Sequence, residues 1–173
     1  MAVPRAAGAQ RYIKGNLAST LVGIPQVGLE RRTGERTTFQ IDLLVSPWQS
    51  IRGKPFQFGI LVAERRWHRN ADLLGFYAGL NAGLVAYHMQ KPFYWGTDYF
   101  QNGFGAVLGG TVGYKWAVDE QWSFDAFAGG GTVQSLYKGT LWSTGEPYEP
   151  AVDWNKSGEL VPYRLGVMLS RRR

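Results

Sequence analysis

Cysteine is absent from the 173 residues. That excludes structural disulfides, thiolate metal centres and a cysteine nucleophile. Histidine is scarce, with only His68 and His88, too few for a multi-histidine metal site. No run of about 18 apolar residues occurs, so no transmembrane helix is expected. A complete signal peptide is missing as well. Ala7-Gly8-Ala9 before Gln10 has the form of a small-residue cleavage site without an apolar segment ahead of it. The expectation is a trimmed export signal, with residues 1–11 a flexible N-terminus. The net charge of +6 comes with no basic helix or zinc pattern, so nucleic acid is not an expected partner. Gly129-Gly130-Gly131 is followed by no Lys-Ser or Lys-Thr, as a phosphate loop would need. It reads instead as steric relief at a bend. No cofactor and no metal are expected.

Glycine and aromatic residues are abundant: 23 Gly, seven Trp and 14% aromatics in all. Mean hydropathy is nevertheless −0.23, as expected when apolar and polar residues alternate and cancel. The alternation has period two, which is the strand period. In 103–116, Phe104, Ala106, Leu108, Gly110, Val112, Tyr114 and Trp116 oppose Gly103, Gly105, Val107, Gly109, Thr111, Gly113 and Lys115. Similar splits run through 38–46, 56–65, 75–87, 122–129 and 160–170. In 56–65 the apolar face is Phe56, Phe58, Ile60 and Val62, which sets Arg65 on the polar face. In 160–170 it is Val161, Tyr163, Leu165, Val167 and Leu169. Two weaker segments begin at Ile13 and Gln26, with Leu17 and Leu21 continuing the first. These make eight expected strands of about 9–12 residues, the length that crosses a bilayer when tilted.

The connections are of two kinds. Short polar turns lie at 33–36, 69–72 and 118–121; longer segments lie near 47–54, 88–102 and 135–158. That asymmetry belongs to a membrane barrel with turns at one end and loops at the other. The predicted fold is all-β, an eight-stranded antiparallel up-and-down transmembrane β-barrel over 12–170, with 171–173 a basic C-terminal tail.

Glycine and charge share one face, which makes that face the lumen. There, glycine leaves room for long side chains. On a solvated face it would only weaken strands. The lumen charges expected are Lys14, Glu30, Asp42, Arg65, Lys115, Asp125 and Arg164. Their mixed signs predict a lumen closed by ion pairs, since an eight-stranded interior is just filled by side chains.

Lys14-Gly15-Asn16-Leu17, Pro25-Gln26-Val27-Gly28-Leu29-Glu30, Glu64-Arg65-Arg66-Trp67, and Gly113-Tyr114-Lys115-Trp116 with Trp122-Ser123-Phe124-Asp125 carry a resemblance. The chain resembles the small outer-membrane barrel superfamily that includes the OmpA and OmpX transmembrane domains. It is more closely similar to a family of exported barrels of unknown function. The resemblance implies a barrel fold and a bacterial outer-membrane location, and no activity. The end of the chain, Met168-Leu169-Ser170-Arg171-Arg172-Arg173, departs from the terminal aromatic residue that such barrels often carry.

Chemistry has few candidate groups. His88, Ser135, Asp98 and Glu146 lie near the long loops, but no spacing enforces a nucleophile–base contact. The loops are conspicuously aromatic, with Phe93, Tyr94, Trp95, Tyr99, Trp142, Tyr148 and Trp154 as candidate ligand contacts. They would either touch a ligand or pack as a lid. Membrane lipid and lipopolysaccharide are the expected partners, and a monomer the expected state. The function expected first is a structural or interaction barrel with a closed lumen. A narrow channel for ions or small solutes, a rim-located lipid-modifying enzyme and a soluble barrel follow in that order.

Overall fold

In a computed structural model, which describes residues 10–49, 53–148 and 154–173, eight antiparallel strands follow one another and the sheet closes on itself. The strands are β1 (Arg11–Asn16), β2 (Gln26–Arg32), β3 (Thr37–Gln49), β4 (Pro55–His68), β5 (Gly75–Met89), β6 (Tyr99–Ala117), β7 (Trp122–Leu141) and β8 (Asn155–Arg172). Closure comes from β1 pairing with β8, Ile13 opposite Arg171 and Asn16 opposite Met168. β8 therefore runs through Arg172, and Arg171 and Arg172 belong to the sheet instead of forming a basic tail. The N-terminal segment expected to be flexible lies largely outside the described residues.

The strands are unequal, six residues in β1 and twenty in β7. The predicted first strand stops at Asn16, where a short helix, α1 (Leu17–Leu21), takes over. Asn16 caps it, its Oδ1 accepting from Ser19 N at 3.3 Å, a favoured role for Asn at a helix start. Gly23, at φ +70°, ends it, donating from its N–H to the Thr20 carbonyl. The Asn16 amide also bonds the β8 backbone, donating to Leu165 O at 3.1 Å and accepting from Val167 N at 3.3 Å. Above this level the β1–β2 hairpin is spent. β2 pairs with β3 only as far as Leu44, and β1 pairs with β8 only as far as Met168. The upper stretches of β3 and β8 thus flank a notch in the wall, with α1 lying against β8.

Inside and outside are set by alternation, and two strands depart from the expected parity. On β4, Val62, Glu64, Arg66 and His68 are buried within the barrel, while Leu61, Arg65 and Trp67 are exposed outside. Arg65 is therefore not a lumen residue. The expectation failed because it required every apolar side chain to face outward, and the upper lumen is apolar. On β8 a bulge shifts the register between Gly129 and Gly131, which oppose Arg164 and Val161. The extra residue at Pro162–Tyr163 reverses the parity. Arg164 and Met168 face in below it, and Tyr163 faces in above it, its hydroxyl donating to Asn81 Oδ1 at 2.5 Å. The glycines here allow close approach: a Cβ on Gly131 would collide with the Leu108 carbonyl, and one on Gly109 with that of Gly130. Among the exposed side chains outside, Leu80, Leu84, Leu108, Val112 and Leu165 are between 63% and 72% exposed.

Candidate functional site in the barrel lumen

The lower lumen, toward the short turns, is an ionic floor. Lys14 Nζ on β1 donates to Asp125 Oδ2 at 2.5 Å, Gln40 Oε1 at 2.9 Å and Glu30 Oε2 at 3.1 Å. Arg66 on β4 donates to Asp125 at 2.7 Å and Glu64 at 3.2 Å. Arg164 on β8 donates to Asp42 at 2.5 Å and also to Glu64. Lys115 on β6 reaches Glu30 at 3.2 Å and lies 4.0 Å over the Tyr12 ring. Tyr77 on β5 donates to Asp125 Oδ1 at 2.5 Å. Every strand supplies a member. The four cations, Lys14, Arg66, Lys115 and Arg164, face four carboxylates, Glu30, Asp42, Glu64 and Asp125, all buried. Buried charges need this kind of pairing, because an unmatched one carries a penalty of several kcal/mol.

Six of the seven expected lumen charges meet here, and Arg65 does not. Sequence reasoning missed Glu64, Arg66, Gln40 and Tyr77. A signal for β4 was present. The expected set held four cations and three carboxylates; exchanging Arg65 for Glu64 and Arg66 gives four of each.

The upper lumen is of opposite character. Val62, Val85, Tyr87 and Val107 form a buried cluster, with Phe58, Ile60, Met89, Val133, Tyr137 and Tyr163 packed on it. All of these but Val62 and Tyr137 line a cavity of about 480 Å³, within the range of ligand pockets, ~300–1,000 Å³. At its margin Lys91 is ion-paired with Glu159, and Ser157 Oγ donates to Glu159 at 2.7 Å. The lining includes Ser19 and Ile24 from the α1 turn, Leu44 from β3 and Leu160 and Pro162 from β8, so the cavity extends to the notch.

The loop aromatics divide into three groups. Tyr94, Tyr99 and Tyr148 stack together, Tyr99 and Tyr148 at 4.5 Å. Tyr148 is buried and accepts from Gln101 Nε2 at 2.9 Å, and its burial raises its pKa. Trp142 packs on Phe100 and Trp154 on Phe104 at the outer surface, with Lys138 Nζ 5.1 Å over the Trp154 ring. Phe93 and Trp95 are exposed. Asp98 ties two loops, accepting from Ser143 Oγ at 2.5 Å and pairing with Lys54 at 3.4 Å. The Ser143 hydrogen bond leads in holding its carboxyl below the ordinary range.

The four groups weighed for a triad are not brought together. Ser135 faces the lumen beside the Tyr87 hydroxyl at 3.1 Å, whereas His88 is exposed and stacks on Phe100 at 4.6 Å. Asp98 serves the loops, and Glu146 is exposed. Among the described residues, no group of three or more His, Cys, Asp or Glu side chains is placed to hold a metal ion.

The protein is thus an all-β, eight-stranded antiparallel ring with an ionic floor and an apolar upper chamber. Residues 1–163 match the model of the family described as "Protein of unknown function (DUF3575)", and the chain belongs to that family. Neither a curated protein nor a solved structure matches it.

Proposed function

We propose that this protein is a bacterial outer-membrane barrel, inserted in lipid and closed to through-flow, that acts as an interaction protein at its long-loop end. The observation that carries this reading is the inversion of polarity: buried paired charges inside, exposed Leu, Ile, Val and Phe outside. On β6 the outer face runs from Phe104 to Tyr114. Ten steps along the strand at about 3.3 Å each, tilted about 40°, span ~25 Å, the height of the apolar band of such barrels. Aromatic side chains border it. Trp67, Phe76, Tyr114 and Trp116 stand exposed toward the short turns, and Phe104, Trp142 and Trp154 toward the loops, as expected at headgroup level. Arg171 lies 5.6 Å from the Trp122 ring at the lower border, its charge able to reach headgroups.

The test is refolding with and without detergent, followed by planar-bilayer recording. We expect heat-modifiable gel migration that requires detergent, and no discrete conductance, because the ionic floor fills the lumen. Compact monodisperse folding without detergent would overturn insertion. Stepwise currents sensitive to Arg164→Ala would replace the closed barrel with a channel.

At the loop end, Phe93, Trp95, Trp142 and Trp154 are exposed, and Lys138 stands beside Trp154. Aromatic faces with a nearby cation suit sugar rings bearing phosphate, so lipopolysaccharide is the proposed contact, made by a monomer. Phe93→Ala with Trp95→Ala is expected to weaken retention of the barrel on immobilised lipopolysaccharide several-fold. Unchanged retention would remove this contact.

A further inference from the structure

We propose that the upper lumen holds one acyl chain of a membrane lipid, which passes sideways through the notch between β3 and β8. This deepens the membrane reading and rests on it. The chamber has the properties a hydrocarbon chain requires. Its wall is formed by Phe58, Ile60, Val85, Val107 and Val133, and apolar surface is what an acyl chain buries favourably. The ionic floor closes its lower end, so a chain lies in a blind pocket and does not pass through.

The route is built from the short β1–β2 hairpin. Above Leu44 on β3 and Met168 on β8 no strand from that hairpin closes the wall. α1 stands there instead, held at its start by the Asn16 side chain, which accepts from Ser19 N, and at its end by the Gly23 and Ile24 N–H groups, which donate to Thr20 O and Ser19 O. Proline occurs on both flanking strands, Pro47 on β3 and Pro162 on β8. Proline lacks the N–H that ladder pairing needs and is confined to edges and bulges. The cavity lining reaches outward to Leu160, which is 87% exposed, and Leu21 on α1 is 88% exposed. An apolar surface is therefore continuous from the outer face through the notch to the chamber.

The Lys91–Glu159 pair at the margin fits the polar end of such a lipid. Lysine has three donors and a carboxylate about four acceptor positions. Their contacts with each other and with Ser157 leave both with capacity for the ester and phosphate oxygens, or the ammonium, of a zwitterionic headgroup. Lys91 Nζ also lies 5.4 Å over the Tyr87 ring and 5.7 Å over that of Tyr137, which keeps the cation at the margin of the chamber.

The alternation of each strand supplies the test. The barrel is placed in nanodiscs of phosphatidylcholine carrying a diazirine in one acyl chain, irradiated, and mapped by peptide mass spectrometry. Outward Leu84 and Leu108 report insertion, while inward Val85 and Val107 report the chamber. We expect adducts on both sets. Val107→Trp, which fills the chamber, is expected to bring the inner adducts to background while leaving the outer ones and the heat-modifiable migration intact. Val133→Phe is the milder filling should the first variant not fold. Adducts on the outer set alone overturn the proposal and leave the membrane reading standing. No adducts on either set overturn the membrane reading itself. Inner adducts that survive a folded filling variant place the lipid elsewhere and also overturn the proposal.

Discussion

Arg66→Ala is expected to lower the unfolding free energy of the barrel by about 3–5 kcal/mol, the usual cost of stranding buried partners of an ion pair. Arg65→Ala, one residue away, is expected to change it by no more than about 1 kcal/mol, as for other exposed sites. The Arg66 guanidinium is fully buried, bonded to Asp125 and Glu64, and 4.6 Å from the Tyr77 ring. Removing it leaves three cations facing four carboxylates in a space that water solvates poorly. Arg65 lies outside, 5.7 Å from the Trp67 ring. Urea titrations of the refolded barrel in lipid vesicles, followed by tryptophan fluorescence, measure both variants. Equal losses, or a larger loss at Arg65, would return β4 to the parity first read from its sequence and take Glu64 and Arg66 out of the floor.

That parity shows where the sequence was readable and where it was not. The split around 103–116 is legible because one face of that strand is small or polar nearly throughout and the other apolar. Lys14, Glu30, Asp42, Lys115 and Asp125 follow by the same logic, since each lies in the lower half, where the lumen is ionic. The logic fails on strands whose inward side chains are themselves apolar in the upper half, where the lumen wall includes Phe58, Ile60 and Val62. On β4, Phe56, Phe58, Ile60 and Val62 look like an outer face, but the first three line the chamber and Val62 is buried in the inner cluster. The bulge at Pro162 added a second failure, since one extra residue reverses every side chain beyond it. Arg164 came out correctly because it lies below the bulge; Tyr163, adjacent to it, did not. The short helix at Leu17–Leu21 was hidden because Ile13, Leu17 and Leu21 fit a strand face as well as a helix face. The capping pattern of Asn16 with Gly23 was the only local mark of it. The chamber, and with it the lipid hypothesis, rests on these three features, none of which strict alternation reveals.

The ionic floor poses a separate question: whether charge or bulk closes the lumen. Arg164→Met and Asp42→Leu, made singly, are each expected to destabilise by about 3–5 kcal/mol, because each leaves a partner buried and unmatched. The Arg164 partners are Asp42 and Glu64. Made together, the substitutions remove one charge of each sign and leave three cations and three carboxylates, with Glu64 still held by Arg66. The double variant is expected to lose no more than either single one, a coupling of about 3 kcal/mol or more in the cycle. Gln40 loses the carboxylate it donates to at 2.6 Å and 2.7 Å but keeps Lys14 as a donor to its own oxygen. Additive losses would mean that these ions are held by their surroundings and not by each other. The folded double variant also decides the question of closure in the bilayer. Met and Leu together fill at least the volume of the Arg and Asp they replace, so a lumen blocked by bulk stays silent, while one closed by charge pairing begins to pass ions.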